Sequence, residues 1–351
     1  MDVVKIKSLI PSKKVIALII LCLLASLITN SFHAFAEIHN KQRLSVKLQW
    51  ITNCEFAGML VAKYMGWYDS NGIDLEMVPR NAFNDKQMEE VVRGTYDLGI
   101  FDGFSIIKSR ASNAKIRAIA AIFQTSPLAI ATPYDSGITS ISQLKNKKVG
   151  YHVNLDLIIL KILLSYNKMS LDDIVPVQLD LSTSHLINKD VDAMLVYEMN
   201  QPIDLALRGY KTNLIASYDN GYNFYGEVYY ATEDTLKKKR MLISKFTEIT
   251  LKGWKYALNN PEEAAKIVVN NYYPEEYYVD NSKEKTLRHQ ILYLKLCRKY
   301  LLRGVGENNI GVMSNVMWRR GIQTLRDLNI INKDLMPEDV YSNDFVLPRH
   351  E

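Results

Sequence analysis

The stretch LSVKLQWITNCEFAGMLVAKYMGWYDSNGIDLEMVP, residues 44–79, decides the fold. Residues 44–50 alternate apolar and polar, as a half-buried strand does. After the break at Thr52-Asn53-Cys54, the apolar residues Phe56, Met59, Leu60 and Tyr64 recur on one helical face. Asn71-Gly72 then turns the chain into a second alternating run, 73–79. Strand, helix and strand in this order form a unit that places two parallel strands side by side beneath a covering helix.

The alternation continues outward from that unit. Residues 88–93 read as a helix ended by Gly94, 96–101 (YDLGIF) as a strand, 105–111 as a helix and 116–122 (IRAIAAI) as a buried strand. After Pro133 the pattern restarts, with a short helix start at 142–144, strands at 148–151, 175–179 and 191–196, and a helix at 155–166. Beyond Thr232 come helical patterns at 245–258, 261–270, 286–302 and 315–328, the second opened by Pro261-Glu262-Glu263 at its positive dipole end. The expected class is α/β: two lobes with mostly parallel sheets and a C-terminal helical region. Ligands of such sheets sit beyond the strand C-termini.

Of the 351 residues, 48% are hydrophobic and 23% charged, which excludes disorder and a disulfide-stapled miniprotein. The formal net charge of +5 is concentrated at the N-terminus: without Lys5, Lys7, Lys13, Lys14 and Asp2, 39 basic residues face 37 acidic ones. No basic footprint for nucleic acid follows. Those lysines precede an apolar run at 15–28 and the small-x-small pattern Ala34-Phe35-Ala36, so 1–36 is expected to be a cleaved signal peptide. Fourteen residues rise only about 21 Å as a helix, short of a hydrocarbon core. Cys54 and Cys297 remain in the mature chain and are expected to be unpaired thiols. The histidines have no metal-ligand spacing, and GxSxG, P-loop and HExxH motifs are absent, so no metal, cofactor or catalysis is expected.

The residues also carry a family resemblance. Leu48-Gln49-Trp50, Phe56-Ala57-Gly58, Val61-Ala62-Lys63, Gly66-Trp67-Tyr68 and Gly72-Ile73-Asp74-Leu75 form the first blocks. Gly94-Thr95-Tyr96-Asp97-Leu98, Phe123-Gln124-Thr125-Ser126-Pro127, Asn200-Gln201-Pro202, Tyr225-Gly226-Glu227-Val228 and Gly253-Trp254-Lys255-Tyr256 follow in order. Together they resemble periplasmic binding proteins for the thiamine pyrimidine precursor, the "no message in thiamine" group. The resemblance covers nearly the whole mature chain and implies the type II periplasmic-binding fold. It places lobe one at 37–131 plus 233–351 and lobe two at 132–232, with a hinge between them. It also implies an ABC-importer substrate-binding protein with a small-molecule ligand, a permease and its ATPase as partners, and a periplasmic location. The alternatives are a ligand-sensing module for a membrane signalling partner and a pyrimidine-synthase-like enzyme, whose cysteine-rich motif is absent. Gln201 stands where the family commonly has Glu, Thr52-Asn53-Cys54-Glu55 where relatives carry His and Gln, and Glu227 where they carry Asp.

An aminopyrimidine is flat and rich in donors and acceptors, so its pocket needs aromatic faces and carboxylates or amides at its polar edge. Trp50 at the end of its strand is either the stacking ring or a core tryptophan. Asn53 and Glu55 either contact ligand or cap and complement the following helix, and Asp102 is either a contact or a helix N-cap. Gln124 and Ser126 follow the buried strand at the same rim. Tyr151 and Asn154 hold the equivalent position in lobe two, and Glu198 and Asn200 follow its last predicted strand. Alternation over 225–231 places Tyr225, Glu227 and Tyr229 on one strand face, the first two being candidate contacts.

Overall fold

The computed structural model describes residues 41–80 and 86–347; the expected leader lies outside the described residues. The first sheet is built from β1 (Gln42–Lys47), β2 (Ile73–Val78), β3 (Leu98–Phe101) and β4 (Ile116–Ala121). The second takes β5 (Leu128–Pro133), β6 (Lys148–Tyr151), β7 (Val175–Gln178), β8 (Ala193–Tyr197) and β9 (Thr212–Ala216), after which β10 (Val228–Thr232) returns to the first. The strand orders are β2-β1-β3-β10-β4 and β7-β6-β8-β5-β9.

Parallel pairs join β1 to β2 and β3, and β6 to β7 and β8. The strands opposed to the rest are β10, antiparallel to β3 and β4, and β5, antiparallel to β8 and β9. Each is the first strand laid down after the chain crosses between sheets. No helical crossover precedes either, so neither chain segment is carried back to the end where the parallel strands start. Sheet membership therefore differs from the expected lobe limits. β5 lies wholly in the second sheet and β10 in the first, and the crossings run over 122–127 and 217–227.

Three helices, α1 (Ala57–Tyr64), α2 (Gln87–Val92) and α3 (Gly103–Ala111), follow strands of the first sheet, and α4 (Asn154–Tyr166), α5 (Ser184–Ile187) and α6 (Gln201–Leu207) follow strands of the second. The C-terminal region adds α7 (Glu233–Lys238), α8 (Arg240–Asn259), α9 (Pro261–Asn271), α10 (Lys283–Leu301), α11 (Asn315–Asp327) and α12 (Pro337–Val340). Helix α8 buries Ile243, Phe246, Thr247, Thr250, Gly253, Trp254 and Ala257, a stripe at helical spacing. It meets α1 where Gly58 faces Gly253: a Cβ on Gly58 would overlap the Trp254 ring, and one on Gly253 the Gly58 carbonyl. This close approach fixes the Trp254 indole in the lobe-one core. Helix α10, capped by the Ser282 hydroxyl, packs against α8 and α9 and also against α6 of the second lobe. Among the described residues no helix is long and apolar enough to cross a membrane.

Candidate functional site

The two crossing segments are bonded to each other. The Ile122 amide donates to the Glu227 carbonyl at 2.7 Å, and the Gly226 amide to the Phe123 carbonyl at 3.0 Å. The Thr125 hydroxyl meets the Asn223 side chain at 3.1 Å. This short ladder ties the two crossings together, and Glu227 is its last residue before β10.

The Glu227 side chain is completely buried, and neither carboxyl oxygen has a hydrogen-bond partner. The Tyr229 hydroxyl stands beside it, and the Trp254 indole nitrogen beside that hydroxyl, none of them reaching bonding geometry. Both are buried and unpartnered, as is the Tyr293 hydroxyl on α10, which feels the charges of Glu55 and Glu227. Leaving a buried polar group unsatisfied costs about 1–3 kcal/mol. Several such groups in one place are therefore a local cost, relieved only by a partner that brings donors to the Glu227 oxygens and an acceptor to the Trp254 N–H.

Glu55, in the single 3₁₀ turn Cys54–Phe56 that precedes α1, is the second carboxylate of this cluster and is 5% exposed. It accepts from Gln49 Nε2 at 2.5 Å and from the Tyr197 hydroxyl at 3.2 Å. Tyr197 ends β8, so this bond runs from the second lobe to the first. Burial pushes the Glu55 carboxyl up to about 7, against the opposing pull of Gln49 and Tyr197. Burial also raises Glu227 well above the carboxylate range, and the neighbouring Glu55 charge adds to it. The cluster is thus rich in acceptors and aromatic rings. Cys54 and Cys297 flank it, both buried and unbridged.

A second seam joins the lobes along α10. Glu198 accepts from Lys299 Nζ at 2.9 Å and from the Tyr300 hydroxyl, while its own amide donates to the Pro127 carbonyl at 2.7 Å. His289 Nε2 lies 3.1 Å from the Asn200 carbonyl and its Nδ1 lies 3.1 Å from Gln290 Nε2; the Gln290 Oε1 accepts the Cys54 amide at 2.8 Å. These partners assign a neutral ring that donates from Nε2 and accepts at Nδ1, consistent with burial lowering the His289 pKa. The Arg208–Asp280 pair, at 2.8 Å, continues the seam at the surface.

The remaining expected residues divide by local role. Asn53 caps the 3₁₀ turn through the Glu55 amide at 2.9 Å, and Asp102 caps α3 through the Ser105 amide at 2.8 Å, with burial raising Asp102 to about 6. Gln124 donates to the Ala121 carbonyl at 2.8 Å, and the Ser126 hydroxyl accepts the Leu128 amide at 3.3 Å, so both brace the first crossing. Trp50 is half-buried in the loop beyond β1, which ends earlier than expected, and the Arg80 guanidinium lies 5.8 Å from its ring centre. Tyr151 ends β6 half-buried, and Asn154 is exposed at the start of α4. Asn200 takes part only through its backbone carbonyl in the seam just described.

One expectation is corrected. Tyr225 does not share a face with Glu227 and Tyr229: its hydroxyl accepts the Ser314 amide at 2.6 Å and its ring packs 5.2 Å from Trp318, whereas Tyr229 packs on Phe246. Strand geometry resumes only at Val228, so period-two alternation does not reach back across the crossing. Gln49, Tyr197, Trp254 and Tyr293 were not among the expected site residues. The available signal was on α10, where His289, Tyr293, Cys297 and Tyr300 put polar atoms on the face that also carries Leu294 and Leu301.

Comparison with known proteins agrees with this architecture. The chain is 22% identical over 313 residues to the riboflavin-binding protein RibY of Chloroflexus aurantiacus, covering 87% of this chain and 86% of that protein. It is 24% identical over 234 residues to the 4-amino-5-hydroxymethyl-2-methylpyrimidine phosphate synthase of Legionella pneumophila, covering 65% and 73%. Among solved structures, the periplasmic sulfonate-binding protein SsuA from Methylobacillus flagellatus superposes with a TM-score of 0.61 at 17% identity, over 88% of this chain and 93% of that one. The shared architecture is the type II periplasmic-binding fold, as found in substrate-binding proteins of ABC import systems. The family described as NMT1/THI5 like matches residues 53–264, more than half of the chain, and this protein belongs to that family.

Proposed function

We propose that the protein is the secreted substrate-binding component of an ABC importer, which captures a small N–H-bearing heteroaromatic such as a thiamine pyrimidine precursor. The observation that carries this reading is the group of buried, unpartnered polar atoms of Glu227, Tyr229, Trp254 and Tyr293 beside the hinge. In this reading Glu55 and Glu227 accept the ligand's donors, Tyr197 brings the second lobe onto it and Trp50 lies at the rim. Two acidic groups suit an amino- or imide-bearing ring and disfavour an alkanesulfonate, although sulfonate binders share the fold. Opening and closing between the lobes, about the crossings at 122–127 and 217–227, then presents the loaded state to a permease and its ATPase. The function requires binding without chemistry, and the cleaved leader would place the protein in the periplasm.

Thermal unfolding against hydroxymethyl- and formylamino-pyrimidines, thiamine, riboflavin, pyridoxal phosphate and aliphatic sulfonates tests this. Ligand at 100 times its dissociation constant stabilises the native state by about 2.7 kcal/mol, and we expect that shift with an aminopyrimidine. A shift with sulfonates alone contradicts the reading, and one with pyridoxal phosphate favours the synthase-like alternative.

A further inference from the structure

A buried chain of three hydrogen bonds runs from the turn that carries Glu55 to the second lobe. The Cys54 amide donates to Gln290 Oε1 at 2.8 Å, Gln290 Nε2 lies 3.1 Å from His289 Nδ1, and His289 Nε2 lies 3.1 Å from the Asn200 carbonyl. His289 and Gln290 are each 2% exposed. The two ends of the chain fix every proton in it. A backbone amide can only donate, so Gln290 must offer it the oxygen and turn its NH2 group to His289; a backbone carbonyl can only accept, so the ring must carry its proton on Nε2. Asn200 follows β8 and opens α6, and its amide donates to the Tyr197 carbonyl at 2.7 Å. The same tip of the second lobe therefore holds the 54–55 turn twice, directly through the Tyr197 hydroxyl on Glu55 and indirectly through α10.

Resting on the reading that Glu55 contacts the ligand, we infer that His289 and Gln290 are positioning residues: they keep the Glu55 turn in register with the second lobe, and protonation of His289 releases that grip and weakens ligand binding. An imidazolium carries a proton on both nitrogens and has no acceptor for the Gln290 NH2 group. Either that group then faces an N–H, or the Gln290 amide turns over and leaves the buried Cys54 amide without an acceptor. In both arrangements one of the three bonds is lost at a buried position, where an unmade bond is most costly.

The surroundings of the ring favour its neutral form. Among the described residues, Asp204 on α6 is the charge felt at the ring, and its carboxylate is already bound by Thr183 and Arg208. The other carboxylates on elements packed against α10 are also engaged: Asp280 by Arg208 and Lys285, Glu262 on α9 by Lys295, and Glu55 by Gln49 and Tyr197. The Cys54 thiol is kept neutral by its burial. Burial outweighs Asp204 and lowers His289 below the usual imidazole value of 6.5. The relay is therefore intact above about pH 6.5 and is lost as the pH falls below it, the reverse of the Glu55 titration.

Hydrogen exchange of the Cys54 amide, followed by NMR on the purified ligand-free protein at about pH 7.5 and about pH 5 and corrected for the intrinsic rate, reads the relay directly. We expect its protection to fall at least about tenfold on acidification in the wild type. It should stay level in His289→Gln, whose amide can accept from Gln290 and donate to Asn200 but does not titrate. Titration calorimetry with 4-amino-5-hydroxymethyl-2-methylpyrimidine at the same two pH values reads the consequence for binding. On acidification the wild type should lose about tenfold more affinity than His289→Gln, a ratio in which titration of the ligand and of Glu55 cancels. The same exchange profile in both proteins overturns the relay. A relay that breaks with no difference in affinity between the two proteins overturns the positioning role. No binding of the pyrimidine by either protein overturns the pyrimidine reading, while the exchange profiles still uphold or overturn the relay. Should His289→Gln fail to melt cooperatively, Gln290→Met removes the relay and should lower and flatten both profiles; profiles that still fall with acid overturn the inference.

Discussion

Glu198, just after β8, and Glu227, at the end of the second crossing, are both buried carboxylates near the junction of the lobes, yet their surroundings are opposite. Glu198 is fully engaged, with Lys299, Tyr300 and the Pro127 carbonyl tying the end of β8 to α10 and the first crossing. Glu227 has no side-chain partner and sits among other unpartnered polar atoms. A satisfied buried charge fastens structure, whereas an unsatisfied one is a local cost that folding alone does not explain. In the proposed reading, the first belongs to the mechanics of closure and the second to what closure encloses.

The largest expected effect tests the electrostatic side of this contrast. Glu55 is raised from 4.5 to about 7, so the folded protein holds that proton more tightly than the unfolded chain. Its stabilisation is complete below about pH 4.5 and is lost as the pH rises to about 7, up to about 3 kcal/mol across the window. Urea unfolding at pH 5 and pH 7.5 should show that decline in the wild type and a flatter profile in Glu55→Gln. Asp102, raised to about 6, keeps a smaller slope of the same sign below pH 6, and Glu227, also raised by burial, contributes a slope of the same sign. Equal slopes in the two proteins would mean that Glu55 titrates as an ordinary surface carboxylate.

Next in size is Gly58→Ala. The added methyl must displace the Trp254 ring that neighbours Tyr229, and overpacking of this kind costs about 1–3 kcal/mol. We expect a lower melting midpoint together with weaker ligand stabilisation; a loss of stability with ligand response intact would separate Trp254 from the site. Smaller again is Glu198→Gln, which weakens the Lys299 tie, with Lys299 itself 43% exposed, and should lower stability by about 1 kcal/mol. Its signature would be faster ligand release in stopped-flow measurements with little change in which ligand is preferred.

Much of the fold was legible because α/β alternation writes itself into hydrophobic period, and the expected βαβ unit at 44–79 became β1, α1 and β2 with small shifts at the ends. The two strands not anticipated, β5 and β9, lie among Pro127, Pro133 and Gly209, which read as turns. Their strand character comes from antiparallel pairing with each other and with β8. For the proposed site, Glu55 and Glu227 could be chosen by residue type and place, whereas the positions of Gln49, Tyr197, Trp254 and Tyr293 around them depend on packing between distant segments. Asn53, Asp102, Gln124 and Ser126 proved to make local backbone bonds, the alternative that capping chemistry always offers at strand ends.

The most direct measurement sets the two carboxylates side by side. The ligand-induced rise in melting midpoint is recorded with the aminopyrimidine for the wild type, Glu227→Gln and Glu198→Gln. We predict that the rise vanishes in Glu227→Gln and persists in Glu198→Gln. The same rise in both variants would contradict the assignment of the ligand to the Glu55–Glu227 cluster.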